Sequence, residues 1–181
     1  MAVIGPILVV TFLGWGVHIY NRLVRDKNRV LAAWSDIDVQ LKRRHDLVPK
    51  LVEAVKQYAR YEQATLTAVT ELRVKSMQLA SPKQIGRLET DLGIKLRQLV
   101  AIAESYPELQ ASRSFLSLQK SLTEVENHIQ YARRYYNGAV RNLNVRIESF
   151  PDMALARLFR FRPREYFELD SEGERLVAQV V

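Results

Sequence analysis

Apolar side chains recur at intervals of three and four along nearly the whole chain, and that spacing admits one class of fold. The series Tyr20, Leu23, Val30, Trp34, Ile37 and Leu41 is answered later by Phe115, Leu118, Leu122, Val125, Ile129, Ala132, Tyr136, Val140, Leu143 and Ile147. A helix gathers such residues into one stripe, whereas a strand would scatter them over both faces. Seven glycines and six prolines are all that punctuate 181 residues. No segment alternates as a strand does, so an all-α protein is predicted.

The prolines set the divisions. Pro49 disfavours helical geometry at Val48 and suits the first turn of a new helix, so the rod is expected to reverse or kink at Asp46-Leu47-Val48-Pro49, a reversal being the favoured reading. A second helix then runs from Pro49 to about Leu79. Ser81-Pro82 opens a third, to about Glu104, and Ser105-Tyr106-Pro107-Glu108 opens a fourth that reaches about Ser149. Rods joined by connections this short fold as antiparallel neighbours, which predicts a four-helix bundle of long helices over residues 21–149. The fourth would be on the order of 60 Å long against about 37 Å for Asn21 to His45, so it must project, bend or pair with another subunit.

Residues 1–20 differ from everything after them. Ala2 to Tyr20 contains no Asp, Glu, Lys or Arg, and the run is long enough to cross most of a ~30 Å hydrocarbon layer as a single transmembrane helix. No basic residue precedes it and no small-residue cleavage pattern follows it, so a retained anchor is expected rather than a secretory signal. Ile4, Ile7, Leu8, Phe12, Trp15, Ile19 and Tyr20 are its expected lipid-facing residues, the two aromatic rings Trp15 and Tyr20 at the interface. Arg22, Arg25, Lys27 and Arg29 crowd the other flank, which predicts an N-terminus outside and the bulk of the chain in the cytosol.

At the far end, residues 150–167 mix Leu155, Leu158, Phe159, Phe161, Tyr166 and Phe167 with arginines. The segment is expected to be short and amphipathic, either lying on anionic lipid through Arg157, Phe159, Arg160, Phe161 and Arg162 or capping the bundle with its rings. Residues 168–181 form an acidic tail. The formal charge of +7 is concentrated in residues 21–60 and 111–165. Both basic portions abut the membrane end, and no nucleic-acid module is present, so lipid is the expected partner and nucleic acid is not.

Groups that could do chemistry do not assemble. With no cysteine there is no disulfide, thiolate metal site or cysteine nucleophile. Neither GxGxxG nor a P-loop occurs. Glu124 and His128 lie four apart, but a carboxylate-bridged metal site needs Glu-x-x-His on two helices. Asp36 and Asp38 point to different faces of one helix. No catalytic, cofactor-binding or metal-binding residue is therefore expected, nor a small-molecule substrate. Lys42-Arg43-Arg44 and Arg133-Arg134-Tyr135-Tyr136 are the clusters most like interaction surfaces, Arg beside Tyr being a composition found at protein interfaces.

Ala33-Trp34-Ser35-Asp36-Ile37-Asp38-Val39-Gln40-Leu41-Lys42-Arg43-Arg44-His45-Asp46-Leu47-Val48-Pro49-Lys50-Leu51-Val52-Glu53 closely resembles the signature of the LemA family of bacterial membrane proteins. Tyr20-Asn21-Arg22-Leu23-Val24, Tyr131-Ala132-Arg133-Arg134-Tyr135-Tyr136-Asn137, Phe150-Pro151, Leu158-Phe159-Arg160-Phe161 and Tyr166-Phe167-Glu168 extend the likeness across the chain. Trp34, Ile37, Leu41, Pro49 and Leu51 are its motif and core positions. The departures are Lys50 for the family's Asn, Gln57 for Gly, Tyr61 for His, and Arg160 for the Gly between two phenylalanines. The resemblance implies one N-terminal anchor, a helical bundle and no established catalytic group; some relatives belong to magnetosome membranes and others accompany membrane proteases or envelope-maintenance proteins. The expectation is a non-enzymatic scaffold of the bacterial inner membrane that needs no cofactor and self-associates as a homo-oligomer, holds partner proteins, or does both. The alternative is an adaptor of a membrane protease, or a weak metal-dependent enzyme built on Glu124 and His128.

Overall fold

The structure, a computed structural model, describes residues 4–59 and 61–167, the side chains of Ile4, Pro6 and Val9 excepted. The acidic tail and the expected contact of Ile4 with lipid lie outside the described residues. Among the described residues six helices follow in order: α1 Ile4–Lys56, α2 Gln63–Met77, α3 Pro82–Glu104, α4 Pro107–Gln110, α5 Arg113–Glu148 and α6 Asp152–Leu158. Among the described residues there is no strand, and the all-α prediction stands.

The predicted reversal at Pro49 does not occur. Helix α1 runs through Pro49 to Lys56, and the chain turns at residues 57–62 instead, so the second helix begins at Gln63. Proline at position 49 lacks the N–H that would bond to the carbonyl of His45, one turn earlier. That carbonyl accepts a hydrogen bond from Arg73 Nε of α2 at 2.7 Å instead. A side chain from a neighbouring helix thus replaces the missing backbone donor, and the rod continues.

Helices α1 and α5 run antiparallel along most of their length. Arg146 Nε meets Asp26 at 2.5 Å near one end, and Arg44 meets Glu126 further along, which fixes their register. The hairpin of α2 and α3 packs beside only part of this pair. Beyond Arg44, in the distal half, four helices enclose Val48, Leu51, Val55, Val69, Leu92, Leu96, Leu99 and Phe115. Before it, in the proximal half, α1 and α5 share Leu23, Val30, Ile37, Tyr136, Val140 and Leu143 with α6 and the segment that follows it. A four-helix bundle therefore describes the distal half alone. The length mismatch expected for the fourth helix is resolved by a long first helix, which keeps α5 company.

The third helix begins and ends as predicted, with Pro82 in its first turn. Ser81 occupies the N-cap position without a side-chain capping bond and donates its hydroxyl to Glu165 Oε2 at 2.7 Å. The predicted fourth helix is broken at Ala111-Ser112 into α4 and α5, and Ser112 Oγ accepts from Phe115 N at 3.4 Å to start the longer piece.

Candidate functional site

Three places hold the residues singled out in the sequence: the projecting start of α1, the segment after α6, and a polar layer between the two halves. In the register of α1 and α5, the bundle ends near Glu148, opposite the turns of α1 around Ile19 and Leu23. Among the described residues no helix lies beside the part of α1 that precedes that point. Ile7, Leu8, Val10, Phe12, Leu13 and Val17 are each more than half exposed, and Phe12 touches Trp15 with ring centroids 5.8 Å apart. Among the described residues no helix is long and apolar enough to cross a membrane. From Ile4 to Ile19 the uncharged rod measures about 24 Å. Ile19 does not belong to its lipid-facing surface: it is 3% exposed and forms the first layer of the proximal core.

Tyr20 sits at the foot of the rod and packs on Phe159 and Phe161, with centroid distances of 4.7 and 6.0 Å. Helix α6 ends immediately before these rings. Arg160 N bonds to Arg157 O at 3.1 Å and Phe161 N to Ala156 O at 2.9 Å, a Schellman closure whose left-handed position is Arg160, φ 56°. The extended chain then turns up along α5. Asn144 donates to Arg164 O at 2.9 Å and accepts from Arg164 N at 2.8 Å, and Asn137 does the same for Phe167 at 3.0 and 2.9 Å. Between them Tyr136 donates its hydroxyl to Glu165 O at 2.9 Å. Burial raises the Tyr136 phenol above its ordinary range, helped by Glu165 and opposed by Arg164.

This strap carries Phe167 into the core, where Trp34 packs on Tyr136 and Phe167 at 5.5 and 6.2 Å and the Arg133 guanidinium lies 5.5 Å from the Phe167 centroid. Within residues 150–167, Phe167 is buried in the core as a capping ring would be, while Arg157, Phe159, Arg160 and Arg162 are exposed at the foot of the rod and Phe161 is half-buried. Asn144 was missed by sequence reasoning. The only available signal was two Asn seven apart, and therefore on one face of α5.

The polar layer is built around Glu89 of α3. Its carboxylate accepts from Arg44 Nη1 at 2.9 Å, meets His45 Nε2 at 2.6 Å and accepts from the Ser76 hydroxyl, while Arg44 Nη2 reaches Glu126 of α5. Burial by itself raises the Glu89 carboxyl, but the His45 hydrogen bond, the Arg44 and His45 charges and the Ser76 hydroxyl together outweigh it and hold the group below its usual value. Sequence reasoning gave Glu89 no role.

Both interaction-like clusters are divided by the fold. Lys42 and Arg43 are exposed, but Arg44 is 3% exposed and belongs to the interior; the cluster sits midway along α1, not at the bundle's end. Arg133 and Tyr136 are buried, whereas Arg134 and Tyr135 point outward, Arg134 stacking over Tyr131 at 4.9 Å. Of the motif positions, Ile37, Leu41 and Leu51 are buried and Trp34 is half-buried, with Pro49 exposed on α1. Glu124 and His128 are both exposed on α5, and among the described residues no group of three His, Asp or Glu side chains is placed to hold a metal.

The LemA family profile matches residues 33–181. Magnetosome protein MamQ 2 of Paramagnetospirillum magneticum is 26% identical over 200 residues, covering 96% of this chain and 74% of that protein. Magnetosome protein MamQ of Magnetospirillum gryphiswaldense has the same identity and coverage. Protein LemA of Metamycoplasma hominis is 28% identical over 135 residues, covering 72% of this chain and 60% of its own length.

Proposed function

The chain belongs to the LemA family, and from that premise we propose that it is a non-enzymatic scaffold, held in the bacterial inner membrane by the start of α1 and working by contact. The observation that carries this reading is the bare rod: beyond the end of the bundle a run of large apolar side chains is exposed, with no helix beside it among the described residues. Apolar surface of this extent is stable when lipid or another apolar surface covers it. The relatives named as magnetosome proteins are consistent with a membrane setting.

Arg22, Arg25, Lys27 and Arg29 follow the rod, so the bundle lies on the cytosolic side and the N-terminus outside. Tyr131, Arg134 and Tyr135 form an outward patch on α5 suited to side-by-side association with a second copy or to a partner such as a membrane protease. No substrate or cofactor enters this account.

Flotation with phosphatidylcholine vesicles tests the anchor. Wild-type chain floats, and Leu8→Glu with Phe12→Glu stays at the bottom of the gradient with an unchanged melting temperature, because neither side chain packs on the bundle. Flotation of the double variant at the wild-type level overturns the reading. A reporter fused after Val181 that is active only outside the cytosol overturns the orientation.

A further inference from the structure

At the foot of the rod, α1, α5 and the start of the strap enclose a pocket of about 570 Å³ that no part of the scaffold reading uses. Lys27, Arg160, Arg162 and Arg164 line it. The acids that adjoin these cations in the chain are engaged elsewhere. Asp26 is turned inward against Arg146 at 2.5 Å, and Glu165 accepts from Ser81 at 2.7 Å. Among the described residues no carboxylate lines the pocket or forms an ion pair with any of the four.

The remaining wall is apolar, and Tyr20 with its two phenylalanine neighbours forms one side of it. Val17 and Leu13 lie three and seven residues before Tyr20, and hence on the same face of α1, both exposed. A cationic pocket therefore opens at the base of an exposed apolar stripe, an arrangement that matches a molecule with an anionic head and hydrocarbon tails.

We propose that this pocket binds the headgroup phosphate of one anionic phospholipid, with the guanidinium and ammonium groups around the phosphate and the acyl chains lying along Tyr20, Val17 and Leu13. Arginine suits the task because its planar fork meets two phosphate oxygens together, and the wall of rings lowers the local dielectric and strengthens each contact. The strap is part of the site: the Asn144 amide holds the backbone of Arg164 through both its N–H and its C=O. The biological setting rests on the membrane reading above, but the binding chemistry does not.

The two are separated by working below the micelle concentration of the lipid. Full-length protein in neutral detergent is titrated with a short-chain phosphatidylglycerol and, separately, with the matching phosphatidylcholine and with inorganic phosphate. The wild type takes up one phosphatidylglycerol saturably. Lys27→Gln with Arg162→Gln weakens it by about tenfold, as expected for two cations beside an anionic headgroup. Arg22→Gln with Arg25→Gln, which removes the same charge from positions outside the pocket, changes it little. All four side chains are exposed, so the fold is unaffected and the melting temperature reports that directly. Equal losses in the two double variants assign the effect to net charge and overturn the pocket. Equal affinity for phosphatidylcholine, or competition by inorganic phosphate at the concentration of the lipid, overturns the anionic-lipid assignment. None of these outcomes depends on flotation, so a failed anchor and a failed pocket remain distinguishable.

Discussion

The distal and proximal halves of the bundle share α1 and α5, yet each is closed by different means. In the distal half the α2–α3 hairpin supplies the missing sides, and the enclosed residues are almost all aliphatic. In the proximal half, among the described residues, there are two long helices, and two helices can cover each other's stripe on one side only. The open side is closed by rings, Trp34 on Tyr136 and Phe167, and by an extended strap whose backbone is bonded to Asn137 and Asn144. Extended chain has no internal hydrogen bonds, so helix side chains must provide them. Where the two halves meet, a buried charged layer of Arg44, His45 and Glu89 takes the place of an apolar one.

That boundary is where the comparison breaks most easily. Glu89→Ala leaves Arg44 and His45 without their shared carboxylate, and removing one member of a buried ion pair typically costs about 3–5 kcal/mol. The melting temperature drops sharply, and hydrogen exchange rises first in α3 and the adjoining turns of α1. If exchange rises first in residues 160–167 instead, the two halves are not separate units. The same carboxyl sets a pH dependence. Because its folded value lies below the ordinary 4.5, its contribution is complete above that pH and is lost as the pH falls through the folded value. Acid titration of stability therefore steepens below about pH 4.5, and Glu89→Gln removes that slope.

The proximal half answers to its rings. Trp34 is half-buried, so Trp34→Ala is expected to cost about 2–3 kcal/mol, less than the ~3–5 of a fully enclosed aromatic residue. Calorimetry checks the value, and an unchanged transition would place the ring on a partner or on lipid. Asn137→Ala removes two hydrogen bonds to a buried position and is expected to cost about 1–2 kcal/mol; Asn144→Ala, at an exposed one, costs about half as much. Limited proteolysis within residues 160–167 reads both, and cleavage confined to the strap while α2 and α3 stay protected confirms two separately held halves.

These differences also mark what sequence could convey. The stripes of α3 and α5 were legible because burial on one face imposes their period, and Ser81-Pro82 marked a boundary that α3 respects. Pro49 misled because its local rule is sound but incomplete: the His45 carbonyl finds Arg73, which is 28 residues further on. Arg44 and Glu89 could not be joined by inspection, since their meeting depends on where the turn at residues 57–62 sends α2 and α3. Tyr136 and Tyr135 differ by one residue yet lie in the core and in solvent, a division set by the register of α5 against α1. Of the candidate site, the apolar rod and the arginines were visible as composition, but the pocket they form depends on the strap's direction, which Asn144 imposes.

The smallest effect concerns the turn that starts the strap. Arg160 occupies the left-handed position of the Schellman closure, where a Cβ is crowded against the backbone and glycine meets no such penalty. The same position is where the family resemblance leads one to expect Gly, and the closure supplies a physical reason for that preference. Arg160→Gly is therefore expected to stabilise the protein by about 1 kcal/mol, offset in part by glycine's greater freedom in the unfolded chain. It also removes one of four cations from the pocket at the foot of the rod. A higher melting temperature together with weaker uptake of phosphatidylglycerol would separate the two roles of this residue, since strain relief acts on the fold and loss of the guanidinium acts on the ligand. If both fall together, Arg160 makes contacts that outweigh its backbone strain, and the strap is held at its start by that side chain as well as by the asparagines that clasp it further on.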